Sequence, residues 1–168
     1  MSKKTFEASQ TKKNLEAAFA GESMANRKYL YFARVARELG DEKVAAVFEE
    51  TAAQETEHAL AHLSLIYPKD TLTVEKLLEL AIAGERYEHT TMYPGFEKQA
   101  LSEMSETAAK EFAEQAVESR EHDARFSSTL ADARFSKTLE IARKRFAALT
   151  KVEKIHADRY ESYLKKVK

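Results

Sequence analysis

The sequence contains no cysteine. That excludes disulfides, zinc ribbons and thiolate-held iron–sulfur centres. Any metal it binds must be held by carboxylate and imidazole, a donor set that suits iron, manganese or zinc better than soft-ligand copper. Helix breakers are scarce, with four glycines and two prolines in 168 residues. No apolar run approaches the roughly 20 residues of a membrane span. Formal net charge is only -1, which implies no general affinity for nucleic acid or an anionic membrane. The opening Met1-Ser2-Lys3-Lys4-Thr5-Phe6-Glu7 has no apolar signal core, so a cytoplasmic location is the expectation.

The composition that remains, 33% charged and 43% hydrophobic, reads as a mostly helical protein of one domain or a domain with an appendage. Residues 1–10 read as a loose arm. Ser9 or Thr11 can cap a first helix to about Leu39, whose stripe of Leu15, Ala18, Phe19, Glu22, Ala25, Tyr29, Phe32, Ala33 and Ala36 contains one acid. Gly40 is a stop and Asp41 a cap for a second helix over about 41–66. Tyr67-Pro68 ends it, and Thr73 can cap a third with the stripe Leu77, Leu78, Ala81, Ile82, Glu85, Glu88 and Met92, which Pro94-Gly95 ends or kinks. Beyond Phe96 there is neither glycine nor proline, and two more helices fit, about 105–130 and 138–166. They resemble each other at an offset of 34: Phe112 matches Phe146, His122 matches His156, Arg125 matches Arg159 and Leu130 matches Leu164. This is the mark of an internal duplication. The copies differ where the chemistry matters, with Ser119 standing in place of Glu153.

The chemistry centres on Glu55 and His58. Three residues apart, they sit roughly 60° apart on one helix face, between the apolar Val44, Val47, Phe48 and Ala52 on one side and Leu65 and Ile66 on the other. A carboxylate and an imidazole in an apolar stripe need partners, because an unpaired buried charge is costly. Glu22 precedes Glu55 by 33 residues, the spacing of two helices folded back on each other. Glu85 and Glu88 share a face and repel unless a cation or a shared proton joins them. Glu153 and His156 form a second Glu-x-x-His in the apolar stripe of the last helix. Together these residues are the donor set from which helical bundles build di-iron and di-manganese carboxylate sites. The competing explanation for each acid is a salt bridge or a solvated face, and that explanation fits Glu111, Glu114, Glu118 and Glu121 best. His62 reads as a packed or outer histidine.

Ala20-Gly21-Glu22-Ser23 with Asn26-Arg27-Lys28-Tyr29 resembles the first helix of rubrerythrins. Ala83-Gly84-Glu85-Arg86-Tyr87-Glu88 with Thr91-Met92-Tyr93-Pro94 resembles their third, and Lys151-Val152-Glu153-Lys154-Ile155-His156 with Arg159-Tyr160 their last. The resemblance covers most of 12–97 and 138–166. It implies an all-α, ferritin-like four-helix bundle, here with one additional helix, forming a single di-iron domain over 1–168 with about 34 extra residues within 98–137. It implies two iron ions, cycling between ferrous and ferric with an oxo or hydroxo bridge, with manganese or zinc as substitutes. Glu55 and Glu153 would bridge, Glu22 and Glu85 would be terminal ligands, and Glu88, His58 and His156 would complete the shells. Tyr29 and Tyr93 match tyrosines that hydrogen-bond the ligands; ordinary packing is the competing reading.

The implied activity is a non-haem di-iron peroxidase that reduces hydrogen peroxide. The rubredoxin domain's cysteines are missing, so an external donor such as a rubredoxin-like protein must supply electrons. A ferritin-like ferrous-iron oxidase, working with dioxygen, is the alternative, and a metal-free helical interaction module the third. Two questions stay open. If 105–130 is the fourth helix, its ligands are Glu118 with Glu121 or His122, and 138–166 is an appendage; alternatively, 105–130 replaces 73–93 as the third bundle helix; motif quality favours Glu153 and His156. The six residues 67–72 reach only about 20 Å, short of a bundle length of roughly 35 Å, so a homodimer that exchanges helix pairs is expected.

Overall fold

A computed structural model describes residues 3–167, and every long element in it is a helix. It divides into two compact units, Met1–Leu72 and Thr73–Lys168. The first begins with a short helix α1, Lys3–Glu7, where a loose arm was expected; a turn bonding the Ser9 N–H to the Phe6 carbonyl joins it to the next helix. Helix α2, Gln10–Glu38, is capped by Ser9, whose hydroxyl accepts from the Lys12 N–H at 3.1 Å. Helix α3, Glu42–Ile66, is capped by Asp41, which accepts from the Val44 N–H at 3.0 Å. Gly40 makes the reversal, at φ 86°, with the Asp41 N–H bonded to the Ala36 carbonyl and its own N–H to that of Arg37. This is the left-handed C-terminal stop for which glycine is suited.

The α2–α3 hairpin closes on small side chains. Ala45, Ala52, Ala59 and Ile66 are buried at intervals of seven along α3, with Ala45 clustered on Ala33 and Ala36. Alanines let the two backbones approach, and Asn26 clasps them by donating to the Ala52 carbonyl at 2.7 Å and to the Thr56 hydroxyl at 2.9 Å. Phe48 stacks near Tyr29 and Phe32, and Arg37 grips Glu49 through two bonds of 2.9 and 3.1 Å. Val44 and Val47, expected on the buried stripe, are exposed instead. The alanine seam sets the contact, and the branched residues fall to either side of it.

The first unit closes with a single 3-10 turn, Lys69–Thr71, and the second opens with α4, Val74–Tyr87, capped by Thr73. A π-helical turn, Glu88–Met92, connects α4 directly to α5, Tyr93–Ser102. Pro94 explains it: proline lacks the N–H an α-turn needs and its ring crowds the carbonyl one turn back, so the ladder widens there. The helix is therefore re-phased at Pro94-Gly95, not ended.

The turn at Glu103–Ser105 repeats the Gly40 geometry, with the Ser105 N–H on the Ala100 carbonyl, but Met104 occupies the left-handed position at φ 59°. A side chain there is unfavourable by about 1 kcal/mol, and this one packs on nothing, being 89% exposed. Met104→Gly is expected to raise stability by about 1 kcal/mol, measurable by denaturant unfolding; a loss would show that the Met104 side chain contributes to packing.

Helix α6 then runs from Glu106 to Val167, 62 residues without a break. Two helices, 105–130 and 138–166, were expected from the repeat. Nothing in Ala131-Asp132-Ala133-Arg134-Phe135-Ser136-Lys137 stops a helix, so the copies share one. The proximal part lies antiparallel on α4 and α5, marked by Glu75–Lys137 at 2.7 Å and Glu79–Arg134 at 2.8 Å. The distal part is exposed, including Phe135, Leu139, Phe146, Leu149, Val152 and Ile155. The side chains of Tyr160 and Leu164, expected on its stripe, lie outside the described residues. None of the described helices is long and apolar enough to cross a membrane.

Candidate metal centre

The antiparallel hairpin brings Glu22 of α2 to Glu55 and His58 of α3. One ligand atom from each lies within 4.8 Å of the others, and His58 Nδ1 is 3.0 Å from Glu55 Oε2. The seam positions both acids on the half-buried margin of the hairpin, while the His58 ring reaches outward. Glu22 is held above the usual carboxylate range, first by the hydrogen bond it shares with Glu55, then by burial and by Glu55's charge. The same bond, followed by His58, pulls Glu55 below that range. A proton shared between Glu22 and Glu55 would relieve the repulsion of two acids held this close. A divalent cation does the same with greater strength, and two carboxylates with an imidazole are a donor set suited to iron or manganese. The residues fit the implied metal. His62 is close enough to lower Glu22, consistent with an outer position. Tyr29 is half-buried and packs its ring on Phe48.

The second unit gathers its own set. Glu85 and Glu88 face α6, where Ser119 donates to Glu88 Oε2 at 2.9 Å and His122 Nδ1 lies 3.3 Å from Glu85 Oε2. Tyr93 sits above them between Phe96 and Phe112, and its phenol is pushed up by burial and then by the charges of Glu88, Glu85, Glu111 and Glu118. Beside this set is a network the sequence did not reveal. Asp123 is buried and accepts from Arg86 Nε and Nη2 at 3.0 and 3.1 Å and from Ser127 at 3.0 Å, with His89 Nε2 at 3.2 Å. Arg86 pulls Asp123 down to about 2, helped by His89 and Ser127. The network fixes the register that puts Ser119 and His122 opposite the two glutamates. The available signal was the spacing of Arg86 and His89, three apart across the end of α4 and the π-helical turn, which puts two cationic partners on one face for an acid of the facing helix.

Glu153 and His156 stand elsewhere. They lie on the exposed distal part of α6, 3.9 Å from each other, with side chains 76% and 51% exposed. Within this unit they do not reach Glu85 or Glu88. The proximal copy holds that place, with Ser119 where the distal copy carries Glu153.

Two antiparallel helical pairs each present clustered glutamate and histidine from facing helices, the donor types from which carboxylate–imidazole metal sites of helical bundles are built, and in the first pair the three donor atoms lie close enough to share one ion. Sequence comparison narrows this. The chain belongs to the rubrerythrin family: the family model described as rubrerythrin matches residues 13–130. The chain is 37% identical over 139 residues to a rubrerythrin of Porphyromonas gingivalis, covering 76% of this chain and 70% of that protein. It is 37% identical over 134 residues to a rubrerythrin of Nitratidesulfovibrio vulgaris, covering 73% and 70%. A solved structure of nigerythrin in a mixed-valence state is 34% identical, covers 76% of this chain and 68% of that one, and superposes with a TM-score of 0.37. The fold is all-α over the described residues, and membership of the family supports a di-iron protein. The family match includes the proximal copy on α6 and stops before the distal one.

Proposed function

We propose that this chain is a non-haem di-iron peroxidase that reduces hydrogen peroxide with electrons from an external, rubredoxin-like donor in the cytoplasm. Its proposed ligands are Glu22, Glu55 and His58 from the first unit and Glu85, Glu88, Glu153 and His156 from the second. The observation that carries the reading is the convergence of Glu22, Glu55 and His58, within the span that matches the family. Donors from both units are required, and we assign their assembly to a homodimer that exchanges helix pairs.

When bound, a pair of ferrous ions supplies the two electrons that, with two protons, convert hydrogen peroxide to two waters. The chain's residues supply placement and protons. Glu22, Glu55, Glu85 and Glu88 offset the cationic charge. Any proton shared by Glu22 and Glu55 is displaced when a cation takes its place between them. Tyr93, whose phenol is pushed up by burial and then by the charge of Glu88 and its neighbours, is assigned the role of holding a proton at its phenolic oxygen. Tyr29 is assigned the equivalent place beside the first unit's ligands.

Peroxide consumption by the ferrous-loaded protein, measured without oxygen in the presence of reduced rubredoxin, tests the reading. Repeated turnover supports it. Turnover only of added ferrous iron by oxygen would place the chain among iron oxidases. Tyr93→Phe is expected to slow peroxide reduction by about tenfold to a hundredfold while leaving iron content unchanged. An unchanged rate would assign Tyr93 to packing against Phe112.

A further inference from the structure

The net charge of -1 conceals a division along the chain. Residues 137–168 hold ten lysines and arginines against four acids, whereas residues 1–136 hold seventeen against twenty-four. The basic excess is densest after Glu140. The next twelve residues contain Arg143, Lys144, Arg145 and Lys151 and no acid, and Lys154 follows Glu153. All five bases lie on the exposed distal part of α6, beyond the span that matches the family. Lys144 pairs with Glu140 at 2.7 Å, but Arg143, Arg145, Lys151 and Lys154 make no ion pair among the described residues. The helix dipole does not account for them. Its pull on cations is confined to the last turn, and even Lys154 lies roughly three turns before Val167.

Helical phase separates these bases from the ligand pair. At about 100° per residue, Arg143, Lys144, Lys151 and Lys154 fall about 80° to 180° around the helix from Glu153. Leu139, Ala142, Phe146 and Leu149 lie on the Glu153 side instead. A helix that turns Glu153 and His156 toward a metal therefore turns four unbroken bases toward solvent.

We infer that this basic outer face of the distal part of α6 is the docking surface for the external electron donor, a small one-electron redox protein with an acidic surface. The inference deepens the di-iron reading and rests on it, since it takes Glu153 and His156 as ligands. A donor seated on the bases is then separated from the metal by the thickness of one helix, about 10–12 Å. Each encounter oxidises the donor by one electron and reduces one ferric ion, so two encounters restore the pair that one peroxide oxidises. Opposite charge speeds such encounters and orients them, and the acidic excess of residues 1–136 disfavours docking elsewhere. An anionic lipid surface is a poorer match. It would take up the apolar side of the helix, and that side carries Glu153 and His156, whose burial in hydrocarbon is costly.

Zinc-substituted rubredoxin, chosen for an acidic surface and redox-silent, serves as the probe. It is mixed with the full iron-loaded chain at low ionic strength and treated with a carbodiimide, which joins a lysine amine to a carboxylate in contact with it. The expected cross-links to rubredoxin start from Lys144, Lys151 and Lys154, and their yield falls about tenfold in roughly 0.5 M salt. Calorimetry is expected to show that Arg143→Glu combined with Lys151→Glu weakens rubredoxin binding about tenfold at low salt. Both side chains are exposed, so the helix persists, and iron content and the reaction of the pre-reduced protein with peroxide stay unchanged. Cross-links that start mainly from lysines of residues 1–136, or an affinity indifferent to the double variant, would overturn the inference. So would tighter binding to phosphatidylserine vesicles than to rubredoxin, which would assign the face to lipid. Iron measured on the same samples separates the two levels. Iron bound with cross-links elsewhere overturns the docking face and leaves the di-iron reading standing; no iron bound overturns both.

Discussion

Glu55→Ala is expected to strip the protein of its metal. Glu55 joins Glu22 to His58, and no other carboxylate of α3 faces that point: Glu50 and Glu57 are exposed. Its removal leaves Glu22 and His58 as separate single donors, too few to hold an ion between them. Iron per chain should fall from about two to below one after anaerobic loading and desalting, and peroxide reduction should fall to that of the metal-free chain. The helices should persist, because the alanine seam, the Asn26 clasp and the Arg37–Glu49 pair are untouched. Far-ultraviolet circular dichroism checks this, and Glu57→Ala, one position from the stripe, is the matched control with full metal. Full iron retention by Glu55→Ala would remove Glu55 from the ligand set.

The second large effect is on stability. Asp123→Ala leaves Arg86 and His89 facing a buried gap and is expected to cost about 2 kcal/mol at pH 7. The sign of its pH dependence follows from the depressed carboxyl. Asp123 titrates near 2 in the folded chain against an ordinary 3.8, so its contribution is complete above the ordinary value and lost as pH falls through the folded one. Wild type and variant should therefore differ at pH 6 and converge near pH 2. A difference that stays constant down to that pH would mean that packing at residue 123, and not its charge, holds α6 on α4.

Residue spacing made the helix starts and the meeting of three candidate ligands readable. Ser9, Asp41 and Thr73 cap where hydroxyl or carboxylate precedes an apolar period, and Gly40 reverses the chain where only a left-handed turn fits. Glu22, Glu55 and His58 were legible because a tight hairpin turns sequence spacing into contact. The unbroken α6 was not. Repetition resembles two elements, but a helix ends only where something stops it, and residues 131–137 contain no stop. The choice between copies was equally hidden. The better motif is Glu153-x-x-His156, yet the short turn at Met104 folds the chain straight back, so the nearer copy meets Glu85 and Glu88. The Asp123 network is not legible in sequence because Arg86, His89 and Asp123 read singly as surface charges, and only the helix pairing brings them together and buries Asp123 and His89.

Metal content bears most directly on the central claim. The purified chain, loaded with ferrous iron without oxygen and freed of excess, is assayed for iron, and its visible spectrum is recorded before and after peroxide. The expected result is close to two irons per chain, with an oxo-bridged ferric spectrum arising on peroxide addition. A chain that takes up no iron under these conditions, with melting unchanged by chelator, would contradict the di-iron reading and leave a metal-free helical protein whose clustered acids are held by protons and arginines.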